Sequence, residues 1–257
     1  ANNQLVLSED ATINGLTVGK GANAVASNTV LGVTALDANT TGDNNTAIGI
    51  NALTANTTGT RNTAIGRYTL FTNSTSSNST AVGFDALRNT TVGGNTAVGS
   101  LALSSNSSGT ANIGIGYQSL ASNTTASLNT AVGYQALYSN TTGNYNTALG
   151  FGALYQNQVH FGSTAVGYNA LRNSIENYNT AIGYQALLTN TTGYQNAALG
   201  VNALQFNTTG NNNAALGTLA LYSNTTGGSN VAIGTEALKT NTTASAMTAV
   251  GYQALYS

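Results

Sequence analysis

An aliphatic residue followed by glycine recurs along the chain at intervals of 17 residues, with two intervals of 16. A leucine stands four positions after each of these glycines, and no copy lacks it. The segment before the glycine, Thr-Ala-(Val/Ile/Leu), is short and rich in β-branched residues, and Asn-Thr-Thr-Gly turn residues follow the leucine. Each copy is therefore predicted to form a strand, a corner, a second strand and a turn. The 14 glycines are Gly32, Gly49, Gly66, Gly83, Gly99, Gly116, Gly133, Gly150, Gly167, Gly183, Gly200, Gly217, Gly234 and Gly251.

Self-similarity at a short fixed period is typical of a solenoid, because one copy cannot bury its apolar face alone and must stack on the next. We expect an all-β parallel β-solenoid (β-roll) of about 14 coils over residues 27–257. Residues 1–26 lie outside the repeat, but Leu16 and Val18 alternate as in a strand, and Asn14-Gly15 is a hairpin turn signal. This segment is predicted to be a lead-in or cap with β-hairpin character.

Variation among the copies indicates the environment of each position. The residue before the glycine is aliphatic in every copy, so this column and the leucine column are predicted to form the core. The two alanine columns accept only very small residues, which predicts that a second protein surface approaches them closely. The predicted structural core is represented by Val132, Gly133, Leu137, Ile182, Gly183 and Leu187.

The predicted core is thin for a coil in which 17 residues are ordered. Several chains are therefore expected to lie side by side. A homotrimer is our first choice, with the alanine face or the tyrosine column as the seam between chains.

Composition narrows the range of functions. Charged residues make up 5% of the chain and the net charge is -1, so nucleic acid and anionic membranes are not expected partners. No apolar run reaches about 18 residues, which argues against membrane insertion. His160 is the only histidine, and no carboxylate or serine constellation recurs around it. We therefore expect no catalytic residues, no metal, no cofactor and no enzyme.

Two repeating features could carry chemistry. Asn-x-Ser/Thr sequons recur mostly in one column, where a glycan would solvate a nearly uncharged rod; turn geometry explains the same residues and is favoured. Tyrosines also share a column, where stacked rings could bind carbohydrate; a structural ladder or a seam between chains is favoured. The candidate glycosylation sites are Asn56, Asn140, Asn190 and Asn224, and the candidate aromatic ladder is Tyr117, Tyr134, Tyr168 and Tyr184.

At Asn-Thr-Ala-Val-Gly and its copies the chain resembles the head repeats of trimeric autotransporter adhesins, whose Val-Ala-Ile-Gly-like core forms a left-handed parallel β-roll. The segment Asn129–Gly143 is more similar to repeats of phage tail-fibre-like proteins, and Asp10–Gly19 is similar to their lead-ins. The resemblance implies a trimeric fibre at an extracellular or virion surface.

Together these observations predict a structural fibre shaft or adhesin stalk of the phage tail-fibre type, which projects a host-binding end. The expected partners are further copies of the chain and a cell-surface carbohydrate or receptor. The alternative is a bacterial extracellular surface filament or trimeric adhesin, which is coated with glycan if the sequons are used. An ice-binding solenoid is a minor alternative, suggested by the regular threonine and asparagine ladders.

Overall fold

The computed structural model describes residues 11–13 and 15–256. Within them lie 16 strands, most of them three residues long, and one short 3-10 helix at Ala22–Ala24. The strands are β1 Ala11–Ile13, β2 Leu16–Gly19, β3 Thr29–Gly32, β4 Thr46–Ile48, β5 Thr63–Ile65, β6 Thr80–Val82, β7 Thr96–Val98, β8 Ile113–Ile115, β9 Thr130–Val132, β10 Thr147–Leu149, β11 Thr164–Val166, β12 Thr180–Ile182, β13 Ala197–Leu199, β14 Ala214–Leu216, β15 Val231–Ile233 and β16 Thr248–Val250.

The strands form a single sheet in chain order. Strands β3 to β16 are parallel and pair in register, so that equivalent residues of successive coils lie side by side, as Thr147 pairs with Thr164 and Ala148 with Ala165. These 14 strands bound about 13 complete coils. The parallel β-solenoid predicted from the 17-residue period is therefore confirmed.

A small hairpin precedes the first coil. Strand β1 is antiparallel to β2, with Ile13 opposite Leu16, and β2 is antiparallel to β3, with Val18 opposite Leu31. The hairpin thus occupies one edge of the first parallel strand, where an unpaired row of backbone groups would otherwise invite pairing with another chain. Residues 1–10, which belong to the predicted lead-in, lie outside the described residues.

Each coil contains one strand, so the predicted second strand is wrong. After the repeat glycine the backbone turns instead, and two residues of each turn adopt the left-handed conformation, as at Gln135 (φ 52°) and Leu137 (φ 51°). Their amides still bond between coils: the Gln135 N–H donates to the Tyr117 carbonyl at 2.9 Å, and the Leu137 N–H donates to the Ala153 carbonyl at 3.0 Å. Backbone hydrogen bonds between coils therefore continue through these turns, although the turns are not β-strands.

The interior contains alanine and leucine. Leu137 and Leu187 are fully buried, and so are Ala131 and its equivalents. The prediction that Val132 and Ile182 belong to the core is wrong: Ile182 is 38% exposed and Val132 is half-buried. Side chains alternate between the two faces of a strand, so an inward central alanine requires both of its neighbours to point outward.

The same alternation corrects the predicted seam. The alanine columns accept only small residues because they face the narrow interior of their own coil, where Ala131 and Ala136 are both fully buried. They do not lie on an outer surface that a second chain could approach. The requirement for a small side chain was inferred correctly from the copies, but the surface that imposes it belongs to the same chain.

The repeat glycines are fixed by both conformation and space. Gly133 and Gly183 have φ values of 138° and 143°, which L-residues rarely adopt. A Cβ atom at Gly133 would overlap the carbonyl oxygen of Gly150 in the next coil. The glycine therefore allows two successive corners to stack at the spacing of the sheet.

The turn absorbs the missing residue of each 16-residue interval. Strands β6 and β7 remain in register across the first of them, with Thr80 opposite Thr96. In the shortened turn Thr90 occupies the buried position that an asparagine holds in the flanking coils, and the Asn106 side-chain amide donates to the Thr90 hydroxyl at 3.2 Å.

Candidate functional surfaces

A continuous apolar feature of the surface is the outer strand face, which we define as the outward side chains of β3 to β16. It consists of two columns: the residue before each repeat glycine, always Val, Ile or Leu, and the residue two positions earlier, usually Thr. None of these 28 side chains is buried. Alternation along each strand places both columns on the same side, and the in-register sheet aligns them along the rod.

A shallow apolar depression lies on the outer strand face near the C-terminal end of the described sheet. At its floor, Ala197 and Ala214 replace the usual threonine in two successive coils. Leu199 and Leu216 stand beside these alanines, and both are exposed. The floor and walls are almost wholly hydrocarbon, so the depression offers very little for a polar ligand to bind.

Aromatic rings form a ladder at the position after the repeat glycine. Tyr117, Tyr134, Phe151, Tyr168 and Tyr184 stack in five successive coils, with ring centroids 5.3, 4.9, 5.3 and 5.2 Å apart. The four tyrosines proposed from the sequence therefore belong to one ladder. Phe151 was not among them, although its column position after Gly150 marks it as the missing rung.

The geometry of this ladder bears on carbohydrate binding. Tyr134 and Phe151 are nearly parallel, with an interplanar angle of 4°, so each ring covers a face of the next. Binding of a sugar by ring contact needs an open aromatic face, whereas rings within the ladder present their edges to solvent. Rings within the ladder therefore stabilise neighbouring coils through mutual contact.

A buried asparagine ladder follows the leucine column. Asn56, Asn140, Asn190 and Asn224 are all fully buried. The Asn140 side-chain amide donates to the Gly143 carbonyl at 3.0 Å, and the other three make the equivalent bond within their own turns. The folded chain does not present these amides to a glycosyl-transferring enzyme, and the turn-geometry interpretation of the sequons accounts for them.

A second buried asparagine ladder precedes the strands and was missed in the sequence analysis. Asn129 is fully buried; its side-chain amide donates to the Gly143 carbonyl at 2.9 Å, and its side-chain carbonyl accepts from the Asn146 N–H at 2.9 Å. The available signal was the asparagine that precedes Thr-Ala-(Val/Ile/Leu) in most copies. The two ladders satisfy buried turn carbonyls that the thin interior could not otherwise pair.

One cluster concentrates charge and aromatic rings on this nearly uncharged chain. The guanidinium carbons of Arg67 and Arg88 lie 4.6 and 5.1 Å from the ring centroid of Tyr68. Arg67 also donates to the Tyr68 hydroxyl at 3.2 Å, and this bond, with the charge of Arg67, lowers the pKa of Tyr68 from its usual value. Arg88 in turn pairs with the largely buried Asp85 at 3.4 Å.

His160 lies in an altered turn and is half-buried, and its backbone carbonyl accepts from the Asn146 side-chain amide at 2.8 Å. Across residues 11–13 and 15–256 there is no group of three or more His, Cys, Asp or Glu side chains placed to hold a metal ion. In the same part of the chain, no helix has the length and apolar character needed to cross a membrane.

No protein-family model matches this chain, and no curated protein shows significant similarity to it. The architecture and the surfaces described above are therefore the basis for assigning a function.

Proposed function

We propose that this chain is the shaft of an extracellular or virion-borne fibre, in which copies pack side by side as a homotrimer and hold a host-binding end away from an anchor. The observation that carries the proposal is the outer strand face: an aliphatic residue in each of 14 successive strands, none of them buried. A solenoid with this exterior is suited to lateral assembly.

The exposed aliphatic column supplies the driving force. Full burial of Val, Leu or Ile contributes about 1.5–3 kcal/mol, so 14 partly exposed residues leave on the order of 10 kcal/mol unrealised in one chain. A contiguous apolar patch that is larger than those on a typical monomer marks an interaction surface. Assembly costs translational and rotational freedom, but a column of this length can offset that cost.

A second copy of the chain is the partner that fits this face. The apolar groups repeat at the strand spacing of about 4.8 Å along the sheet. A matching partner must present apolar groups at the same spacing over the same length, which an identical solenoid does. The number three comes from the resemblance of Asn129–Gly143 to the repeats of trimeric fibres.

Rigidity is supported by the pairing between coils. Each interior coil bonds its backbone to both neighbours, and the buried asparagine ladders add side-chain bonds such as that from Asn207 to Asn190 at 2.8 Å. A structure in which every coil contacts its neighbours through the same bonds resists bending along its whole length.

Sedimentation velocity tests the seam. The chain is expected to sediment as a particle of three times 25.9 kDa, and Val132→Asp together with Val166→Asp is expected to yield a folded monomer, because charges on the outer strand face cannot be buried between chains. Thr142→Asp with Thr125→Asp, two exposed turn positions, is the matched control and should assemble like the parent. A monomeric parent over the micromolar range would remove the proposal.

Gold-labelled antibody and electron microscopy of intact particles would locate the fibre. Label on rods that project from virions supports the tail-fibre form of the proposal. Label on rods that project from cells supports a surface filament or trimeric adhesin, which would use the same shaft with different ends.

A second function deserves a test because threonines lie in register on the outer strand face, as at Thr147 and Thr164. Regular hydroxyl and methyl groups on a flat sheet suit an ice-binding surface. The threonine column is interrupted at Ile113, Ala197, Ala214 and Val231, which weakens that match. Thermal hysteresis of the purified chain that disappears with Thr147→Lys would favour ice binding; its absence in the parent would exclude it.

A further inference from the structure

Two successive coils change both columns of the outer strand face together. At β13 and β14 the usual threonine becomes Ala197 and Ala214, and in the same strands the aliphatic residue is Leu199 and Leu216. A small residue in one column is thus accompanied by a long one in the other. These are the only two strands with alanine at the threonine position.

The paired change leaves a hollow beside two projecting side chains on this part of the outer strand face. The depression over Ala197 and Ala214 is not filled by side chains of the same chain. Leu199 and Leu216 are 46% and 45% exposed, similar to Leu149 at 47% and more than Ile182 and Ile233 in the coils on either side. What distinguishes these two coils is the alanine beside each leucine. The two leucines therefore project from the surface beside the depression, and both features lie in the coils of β13 and β14.

We infer that Leu199 and Leu216 of one copy insert into the depression over Ala197 and Ala214 of the neighbouring copy. The inference rests on the proposed side-by-side assembly and specifies how the columns meet across the seam. Copies related by a rotation axis along the rod place the same coil at the same height. The protruding column of one copy then opposes the hollow column of the next, and the long side chain compensates for the missing threonine atoms.

The chemistry of the depression favours this occupant. Its walls are aliphatic and almost without polar groups, so hydrogen-bonding ligands such as sugars or nucleotides gain nothing there. Two leucine side chains spaced by one coil match a hollow that spans two coils. A cavity and an overpacked contact would each weaken a packed seam. Alanine in one copy opposite leucine in the next avoids both and retains the packing.

The first test fills the hollow. Ala197→Thr with Ala214→Thr restores the usual threonine and leaves no space for the leucines of the neighbouring copy. The concentration at which half of the chains are assembled is therefore expected to rise at least tenfold. Adding Leu199→Val and Leu216→Val gives both coils the common Thr-Ala-Val pattern and is expected to restore assembly. The matched control is Ala38→Thr with Ala55→Thr, two turn positions in neighbouring coils away from the outer strand face.

The second test exploits the absence of cysteine from the chain. Ala197→Cys and Leu199→Cys are made in separate chains, which are then mixed, dissociated, reassembled and oxidised. The inference expects disulfide-linked chains in the mixture and few in either variant alone. Within one strand the two Cβ atoms point the same way and lie about 6.6 Å apart, whereas a disulfide needs about 4 Å between Cβ atoms. A chain that carries both changes should therefore bond to its neighbours and close into a linked ring whose mass counts the copies.

The outcomes separate this inference from the proposed function. A parent that sediments as a monomer removes both. A parent that assembles, with filled-hollow variants that assemble equally well and no cross-linking in the mixture, overturns the inference alone. All four positions point outward, so the coils of every variant are expected to remain folded. Circular dichroism equal to that of the parent checks this.

Discussion

The side-chain amide of Asn140 donates a hydrogen bond to the side-chain carbonyl of Asn123, one coil earlier, at 3.1 Å. The same amide also donates to the Gly143 carbonyl of its own turn. One buried asparagine therefore closes its turn and joins it to the preceding coil, which explains why asparagine rather than serine dominates this column.

Removing this side chain is expected to destabilise the solenoid. Asn140→Ala leaves the Asn123 side-chain carbonyl without a donor in a dry interior and removes one of the two amides that donate to the Gly143 carbonyl, which costs about 1–3 kcal/mol. Urea unfolding followed by circular dichroism measures the change. Thr142→Ala, at an exposed position of the same turn whose φ is not positive, is the control. Equal midpoints for the two variants would show that the buried amide contributes nothing.

Replacing a repeat glycine is expected to be more harmful than its size suggests. Gly133→Ala combines the backbone strain of a positive φ with overlap on the Gly150 carbonyl. The free energy of unfolding is therefore expected to fall by about 3 kcal/mol or more. Gly94→Ala separates the two effects, because Gly94 also has positive φ (77°) but meets no atom closer than 4.0 Å. Thermal unfolding should rank Gly133→Ala well below Gly94→Ala; the reverse order would show that the corner spacing is not limiting.

Some left-handed positions can be improved. Ala111 is exposed and has φ 54°, a conformation that costs an L-residue about 1–2 kcal/mol and costs glycine almost nothing. Ala111→Gly is expected to stabilise the chain by about 0.5–1 kcal/mol, after allowing for the added freedom of the unfolded chain. Ala55→Gly, where φ is not positive, should instead lower the melting temperature. A lower melting temperature for Ala111→Gly would contradict the assigned conformation.

Neighbouring residues on opposite faces of one strand should respond differently to enlargement. Ala131→Leu forces a larger side chain into a closed interior and is expected to cost about 2–3 kcal/mol. Val132→Leu points outward, and leucine already occupies the same column at Leu149, so the coil should keep its stability. Melting curves at low concentration, where chains are separate, distinguish folding from assembly. Equal stability of the two variants would mean that the faces are assigned the wrong way round.

The ionisation of Tyr68 offers a test of the charged cluster. The hydrogen bond and charge of Arg67 lower the pKa of Tyr68, so its phenolate forms at a lower pH than the usual tyrosine value. Since the folded pKa lies below the unfolded value, the stability contribution appears as pH rises through the folded pKa and is lost at lower pH. Difference absorbance of the parent against Arg67→Gln should show one tyrosine titrating later in the variant. Superimposable titrations would show that Arg67 does not act on Tyr68.

The sequence identified the period, the parallel stacking, the buried leucine column and the aromatic ladder, because all of these follow from repetition itself. It did not identify which face of the strand is internal. In Thr130–Val132 the larger apolar residue suggested burial, but the interior has room only for Ala131. Size tolerance within a column therefore gave the stronger signal than hydrophobicity.

The left-handed leucines could not be anticipated. A residue such as Leu137 rarely has positive φ, and it is held there by a hydrogen bond from its N–H to the Ala153 carbonyl in the next coil and by complete burial. Those constraints arise only once coils are stacked. The same holds for the sequons at Asn56 and Asn140, whose pattern of letters gives no indication that the amides point inward.

The in-register pairing of β3 to β16 means that any whole coil could be duplicated or deleted without altering the bonds of the coils that remain. The 16-residue coils show that even the turn length is adjustable while strands stay aligned. Tandem recombination in the coding sequence could thus lengthen or shorten the rod in steps of about 4.8 Å. The length of the rod is therefore set by the number of repeats in the coding sequence, independently of any group that the rod holds at its end.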